Sequence, residues 1–206
     1  MSLLDLFRKS PPIRETGELA QFMDANACFV AQKGVYEYSR ARAGHYSKVL
    51  FTEPTFIEAI DRSRWRAYPL TLAMVGELVE GKLRHHGDAA ASEFQAAIAA
   101  LALSAFDQNP VPAVLGEREW GAARDELASR LGQFGLHPPK RAMDIPEPMA
   151  KAYFDLMPIH QKLRANEFPA IHNYLRLALC NIHIELTKRL DEPALIRSLR
   201  GRPSHP

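Results

Sequence analysis

Along most of this chain apolar positions recur at intervals of three and four, the period of an α-helix with one buried face. The clearest run is residues 166–190, NEFPAIHNYLRLALCNIHIELTKRL. With Phe168 at zero and about 100° per residue, Phe168, Ile171, Leu175, Ala178, Leu179, Ile182, Leu186 and Leu190 fall within an arc of ~120°. That arc is a core stripe. Leu177 and Ile184 project from the far side, which predicts a helix covered on two faces.

Punctuation between the periodic runs predicts the remaining elements. Thr16 suits an N-cap, and the helix it opens runs to about Gly44. Thr55-Phe56-Ile57-Glu58 has capping-box spacing and opens a helix ending near Tyr68; Pro69 then suits the first turn of another, reaching about Arg84. Asp88 caps an alanine-dominated helix to about Phe106. A further helix spans Glu117 to Phe134, with Gly135 suited to the left-handed position after it. Asp144 and Glu147 repeat the capping spacing before a helix near 147–163, kinked by Pro158, and a short helix follows Asp191. Residues 45–54, HYSKVLFTEP, suit a short strand without an evident partner. The alanine helix, with Ala89, Ala90, Ala91, Ala96, Ala97, Ala99, Ala100, Ala102 and Ala105, is apolar nearly all round and is expected in the interior. Its small side chains let neighbours approach near the short end of the ~8–10 Å interaxial range.

These elements predict an all-α fold: a single-domain irregular helical bundle of about seven to eight helices with proline-rich connections, NPVPAVLG and GLHPPKRAMDIPEP. The expected organisation is an N-terminal arm at 1–16, a helical domain at 17–200 and a tail at 201–206. Composition agrees, because 29 Ala and 24 Leu outnumber the 22 Val, Ile and Thr together.

Charge and hydropathy then exclude partners. A formal net charge of +2 is too mild to call for nucleic acid. The stretch ARDELASRLGQFGLHPPKRAM begins like a helix-turn-helix, but Pro138-Pro139 stands where a recognition helix would start. Arg197, Arg200 and Arg202 give only weak, salt-sensitive attraction, so no nucleic acid is expected. No run approaches the ~18 apolar residues of a spanning helix, and no stable membrane insertion is expected. Leu3, Leu4 and Phe7 share one helical face, too short to anchor alone and better suited to docking on the protein itself. Cys28 and Cys180, both inside helical patterns, suit reduced thiols in a cytoplasmic protein.

Candidate chemistry is sparse. Nucleophile elbows, phosphate loops and dinucleotide fingerprints are missing, and no cofactor is expected. His172 and His183 stand three turns apart, ~16 Å along the axis, and cannot share one ion that each must approach to about 2 Å. No Glu-x-x-His pair supports a di-iron centre, so no metal is expected. Glu167 suits the positive end of a helix dipole, and His85-His86 a helix C-terminus. His172, Arg176 and His183 line one border of the core stripe, which suits edge histidines of a packed helix with Arg176 paired within the fold; the alternative is a cationic ridge for an anionic ligand or an acidic partner.

In the first helix Asn26, Lys33, Glu37 and Arg40 stand where the apolar face should continue, and Gly34 interrupts it. Either the face rotates there, leaving an ion-paired solvated half-helix, or Asn26, Glu37 and Arg40 form a polar pocket. Trp65 and Trp120, each flanked by charge, suit half-buried packing positions or, alternatively, the centre of an interface. The expected function is a non-catalytic helical module that binds a protein partner or itself. One alternative is a bundle holding a small anionic ligand near Asn26–Arg40; another is an enzyme with dispersed active-site residues. A partner surface leaves an exposed apolar patch, whereas a ligand bundle leaves an enclosed cavity with convergent polar groups.

Overall fold

A computed structural model describes residues 11–84 and 91–201, with side chains in the helix that starts at Ala91 described from Phe94 onward. The expected caps at Asp88 and His85-His86, Ala89 and Ala90, the face formed by Leu3, Leu4 and Phe7, and Arg202 with the rest of the tail lie outside the described residues. The helices are α1 (Thr16–Ala43), α2 (Ser47–Leu50), α3 (Pro54–Arg84), α4 (Ala91–Asp107), α5 (Gly116–Leu131), α6 (Ala150–Asp155), α7 (Phe168–Arg189) and α8 (Glu192–Arg200). Extended pairing among the described residues is limited to one isolated bridge, Ile13 with Leu190. The fold is all-α.

The centre is α3. From Ala67 to Glu80 every residue of it is buried, because Leu70, Leu72, Met74, Val75, Leu78 and Val79 point all round the helix and meet α1, α4, α5 and α7. The sequence predicts a break at Pro69 and an interior position for the alanine helix. Both points are corrected: α3 runs through Pro69, and α4 buries one face (Phe94, Ile98, Leu101, Ala102, Ala105, Phe106) while Ala96 and Ala100 are exposed. Alanine costs little on either side of a helix, so an alanine-rich helix need not be central.

Helix ends also moved. The cap of α1 is Glu15, not Thr16, and Glu18 returns the box by accepting from the backbone of Arg14 (2.7 Å) and Glu15 (3.1 Å). Thr55 lies inside the first turn of α3, which starts at Pro54. The expected strand at 45–54 is instead a 3-10 turn at Gly44–Tyr46 followed by α2, because without a partner strand its backbone is satisfied locally. Gly135 takes the positive φ of 82° expected of it, although α5 stops at Leu131. The helix expected near 147–163 is only α6; Asp144 pairs with Arg141 (2.6 Å) rather than capping. Pro158 ends α6's run instead of kinking it, and Asn166 turns the chain into α7 at φ 66°. Asp191 does cap α8, accepting from Ala194 N at 3.3 Å.

Ile13 is fully buried, and its backbone binds both sides of the α7–α8 corner: Ile13 N to Arg189 O (2.8 Å) and Asp191 N to Ile13 O (3.0 Å). Of the expected arm, Ile13 therefore belongs to the core, while Arg14 and Glu15 beside it are exposed.

Candidate functional site

Two polar clusters lie inside the bundle, and both are tied off within the chain. Asp24 of α1 accepts from Tyr68 Oη (2.5 Å), Asn109 Nδ2 (3.3 Å) and Cys28 Sγ (3.8 Å), joining α1, α3 and the end of α4. Burial, reinforced by the Asp24 charge, pushes the Cys28 thiol up to about 12 and the Tyr68 phenol higher still. The cavity beside them, about 30 Å³, has room for little more than one water.

The second cluster sits on the buried far end of α3. Fully buried Glu80 accepts from Arg84 Nε (2.7 Å), and Glu77 meets Lys140 Nζ (2.8 Å) and His137 Nε2 (3.5 Å), so the proline-rich connection is pinned to α3 by charge. The Lys140–Glu77 contact is an ion pair without an aligned hydrogen bond at Glu77 Oε1. Glu77, Glu80, His137 and Lys140 are given no role by the sequence pattern, and Arg84 only that of a helix end. Charged residues inside the apolar run PLTLAMVGELVEG were the available signal.

Trp65 and Trp120 meet each other. Their rings sit edge-on with centroids 5.7 Å apart, and Trp120 also stacks on Phe106 (4.1 Å) and Tyr68 (6.3 Å). Trp120 is buried and Trp65 half-buried under the Arg64 guanidinium, 4.6 Å from its ring. Their aromatic surface is spent inside the chain, where such pairs add about 0.5–1.5 kcal/mol beyond burial.

The histidine ridge is met by a loop. His172 Nε2 lies 2.6 Å from Glu147 Oε2 without hydrogen-bond alignment, and its ring stacks on Phe168 at 5.5 Å. Arg176 is half-buried in the field of Asp144, and His183 is exposed. Glu167, the cap of α7, serves as more than a dipole partner: it accepts from Tyr38 Oη (2.5 Å) and pairs with Arg42 (2.7 Å), clamping α7 to the end of α1.

On α1 the polar line does not enter the interior. Lys33, Glu37 and Arg40 are exposed, and Asn26 is half-buried with its amide on Phe22 O (2.9 Å). Among the described residues no ion pair joins Glu37 to Lys33 or Arg40. The buried face rotates instead through the small residues Ala27, Ala31, Gly34, Ser39 and Ala43. Gly34 is where the helices touch: a Cβ there would stand 2.2 Å from Tyr153 Oη and 2.7 Å from the Tyr174 ring, and both phenols donate to Val30 O.

What remains open is a face. The second apolar row of α7 has no cover: Leu177 is 67% exposed and Ile184 50%, against the expectation that both sides of this helix pack. Helices α1 and α7 run antiparallel, with Tyr38 against Glu167, Val30 against Tyr174 and Phe22 against Arg189. On that register Phe29, itself 58% exposed, stands level with Leu177. At about 100° per residue, Phe29, Lys33 and Tyr36 turn to one side of Val30 by roughly 60–120°, and Leu177 and Ile184 turn in the same sense from Tyr174. In an antiparallel pair equal senses reach the same side, so these residues share one solvent face.

That face is open rather than enclosed. The groove of about 420 Å³ along Phe29, Gln32, Lys33, Tyr36 and Glu37 is lined from α1 alone, and a neighbouring groove of about 540 Å³ continues from Tyr36 to Ile57 and Ile60. A separate cleft of about 250 Å³ between α3, α5 and α6 has an apolar floor of Pro69, Leu70, Leu127 and Leu156. Its rim charges are paired within the chain, Arg66 with Glu119 (3.2 Å) and Arg130 with Glu126 (2.5 Å). Among the described residues no group of three or more His, Cys, Asp or Glu could hold a metal ion, and no helix is long and apolar enough to cross a membrane. No protein-family model, curated protein or solved structure matches this chain.

Proposed function

We propose that this protein is a non-catalytic helical interaction module, and that it contacts a protein partner through the solvent face shared by α1 and α7. The observation that carries this reading is the uncovered row of Leu177 and Ile184 on α7, with Phe29 also exposed on α1, which packs against α7. Exposed large apolar side chains cost solvation free energy that a partner would recover, at about 25 cal/mol per Å² of apolar area covered. The polar clusters inside the bundle support the same reading, since each charge in them is engaged by the fold and none faces a substrate-sized cavity. Lys33 and Glu37 line one open groove and Asn26 another, and exposed Arg40 lines neither, so the four do not converge on a cage for a small anion. Two unpaired thiols support a cytoplasmic setting.

The test compares three tagged forms of the full chain in extract of the cells that make it: unaltered, Leu177→Glu with Ile184→Glu, and Leu136→Glu, which alters an exposed leucine in the turn after α5. The chains each form retains, untagged copies of itself included, are quantified by mass spectrometry. The α7 double variant is expected to lose chains that the Leu136 variant keeps. Identical profiles from all three would sink the contact face.

A further inference from the structure

We propose that the cleft between α3, α5 and α6 binds a small linear carboxylate that carries a neutral oxygen at its far end. The carboxylate sits on Arg66, the aliphatic chain on the apolar floor, and the far oxygen on Arg130. This site is separate from the α1–α7 contact face and does not rest on it.

Charge places the head. Glu119, at the start of α5, is shared by two arginines of α3: Arg62 Nη2 donates to its Oε2, and Arg66 Nε lies 3.2 Å from its Oε1. Two guanidinium groups against one carboxylate leave one positive charge at that end of the cleft. Among the described residues the Arg66 guanidinium makes no hydrogen bond, and its side chain is 49% exposed. A planar fork of free N–H donors fits a carboxylate, and a surplus of one charge fits a monoanion.

Shape and lining give the body. Helices α3 and α5 run side by side in one direction, with Arg66 near Glu119 and Gly76 near Leu131. Arg130 therefore marks the other end, about three turns of α5 beyond Glu119, ~16 Å along the axis. Between them lie Pro69, Leu70, Ala123, Leu127 and Leu156, whose side chains offer no hydrogen bond. At ~30 Å³ per water, about 250 Å³ holds about eight water-sized groups, little more than a single row over that length. A linear hydrocarbon matches such a slot better than a ring.

The far end lacks an acceptor. Arg130 Nη2 donates to Glu126 Oε1 at 2.5 Å, but Arg130 Nε is buried with no hydrogen-bond partner. A buried donor left without an acceptor is costly, so an oxygen brought to it is stabilising. Glu126 already balances the charge of Arg130, which makes that oxygen a hydroxyl or ketone rather than a second carboxylate.

Titration of the purified full chain with 8-hydroxyoctanoate, followed by leucine-methyl NMR shifts, tests the site. A ligand of this size should bind with Kd of about 0.1–1 mM and shift the methyls of Leu70, Leu127 and Leu156. The uncharged 1,8-octanediol should bind at least tenfold more weakly, and octanoate, which lacks the far oxygen, severalfold. Arg66→Met should weaken binding at least tenfold. Ala152→Phe, which fills the cleft from an exposed position, should abolish it, with the helical circular-dichroism signal unchanged in both variants. Leu177→Glu with Ile184→Glu should leave binding unchanged. No shifts by about 10 mM, or an affinity that Arg66→Met does not alter, overturns the site. Octanoate binding as tightly as 8-hydroxyoctanoate overturns the far-end contact with Arg130.

Discussion

Helix α7 carries two apolar rows on different sides, made of the same kinds of residue. Ile171, Leu175, Leu179, Ile182 and Leu186 are buried against the bundle; Ala170, Leu177 and Ile184 are exposed. Nothing in the side chains separates the rows. The inner row has α1, α3 and α6 opposite it, and the outer row has none of the described elements. Apolar character supplies the wish to be covered, and the path of the rest of the chain decides whether it is met.

Four experiments sharpen or break this contrast. Leu179→Ala on the inner row should destabilise the fold by about 2–5 kcal/mol, since a fully buried leucine leaves both lost transfer energy and a cavity. Urea unfolding measures it; a cost under ~1 kcal/mol would mean the inner row is not packed as described.

Gly34→Ala should cost about 1–3 kcal/mol in the same assay, through overpacking against Tyr153, whose hydroxyl is held on Val30 O. Helix propensity alone predicts the opposite sign, a gain of up to ~1 kcal/mol, so the sign decides whether α1 truly touches Tyr153 and Tyr174 there.

The two thiols extend the contrast. Cys28, on the inner side of α1 with Asp24 beside it, should alkylate at pH 8 far more slowly than Cys180 on the outer side of α7. Because its thiol is pushed up to about 12 in the fold, the unfolded chain loses that proton first as pH rises. The contribution is absent below the unfolded thiol's pKa, and stability falls between there and about pH 12. Cys28→Ser should flatten part of that decline in pH-dependent melts; an unchanged decline would remove Cys28 from it.

Leu177→Ser should have the smallest effect, within about ±0.5 kcal/mol of the unaltered stability measured on dilute protein. A large loss would show that the outer row is covered after all.

The residues that were legible in the sequence are those with an unambiguous period or a special backbone. The core stripe of α7 was read position by position, Gly135 was assigned its left-handed turn, and a short helix was placed after Asp191. Residues with more than one physical use were misread. Pro69 reads as a helix start but is tolerated mid-helix where packing on every side holds α3 together. Gly34 reads as a break, yet it marks a close approach of two tyrosines that lie 119 and 140 positions further on. Lys33, Glu37 and Arg40 looked like an interruption because the true buried face passes through small residues with a weak apolar signal.

By itself, then, the sequence determined the helical class, the inner stripe of α7 and several chain reversals, since these follow from local period, capping and backbone conformation. Tertiary structure alone decided that α3 is central, that Trp65 and Trp120 face each other, and that Leu177 and Ile184 are left in solvent. The physical reason is that burial belongs to pairs of surfaces. One helix can announce an apolar face, but only the arrangement of all the others determines which faces find a neighbour.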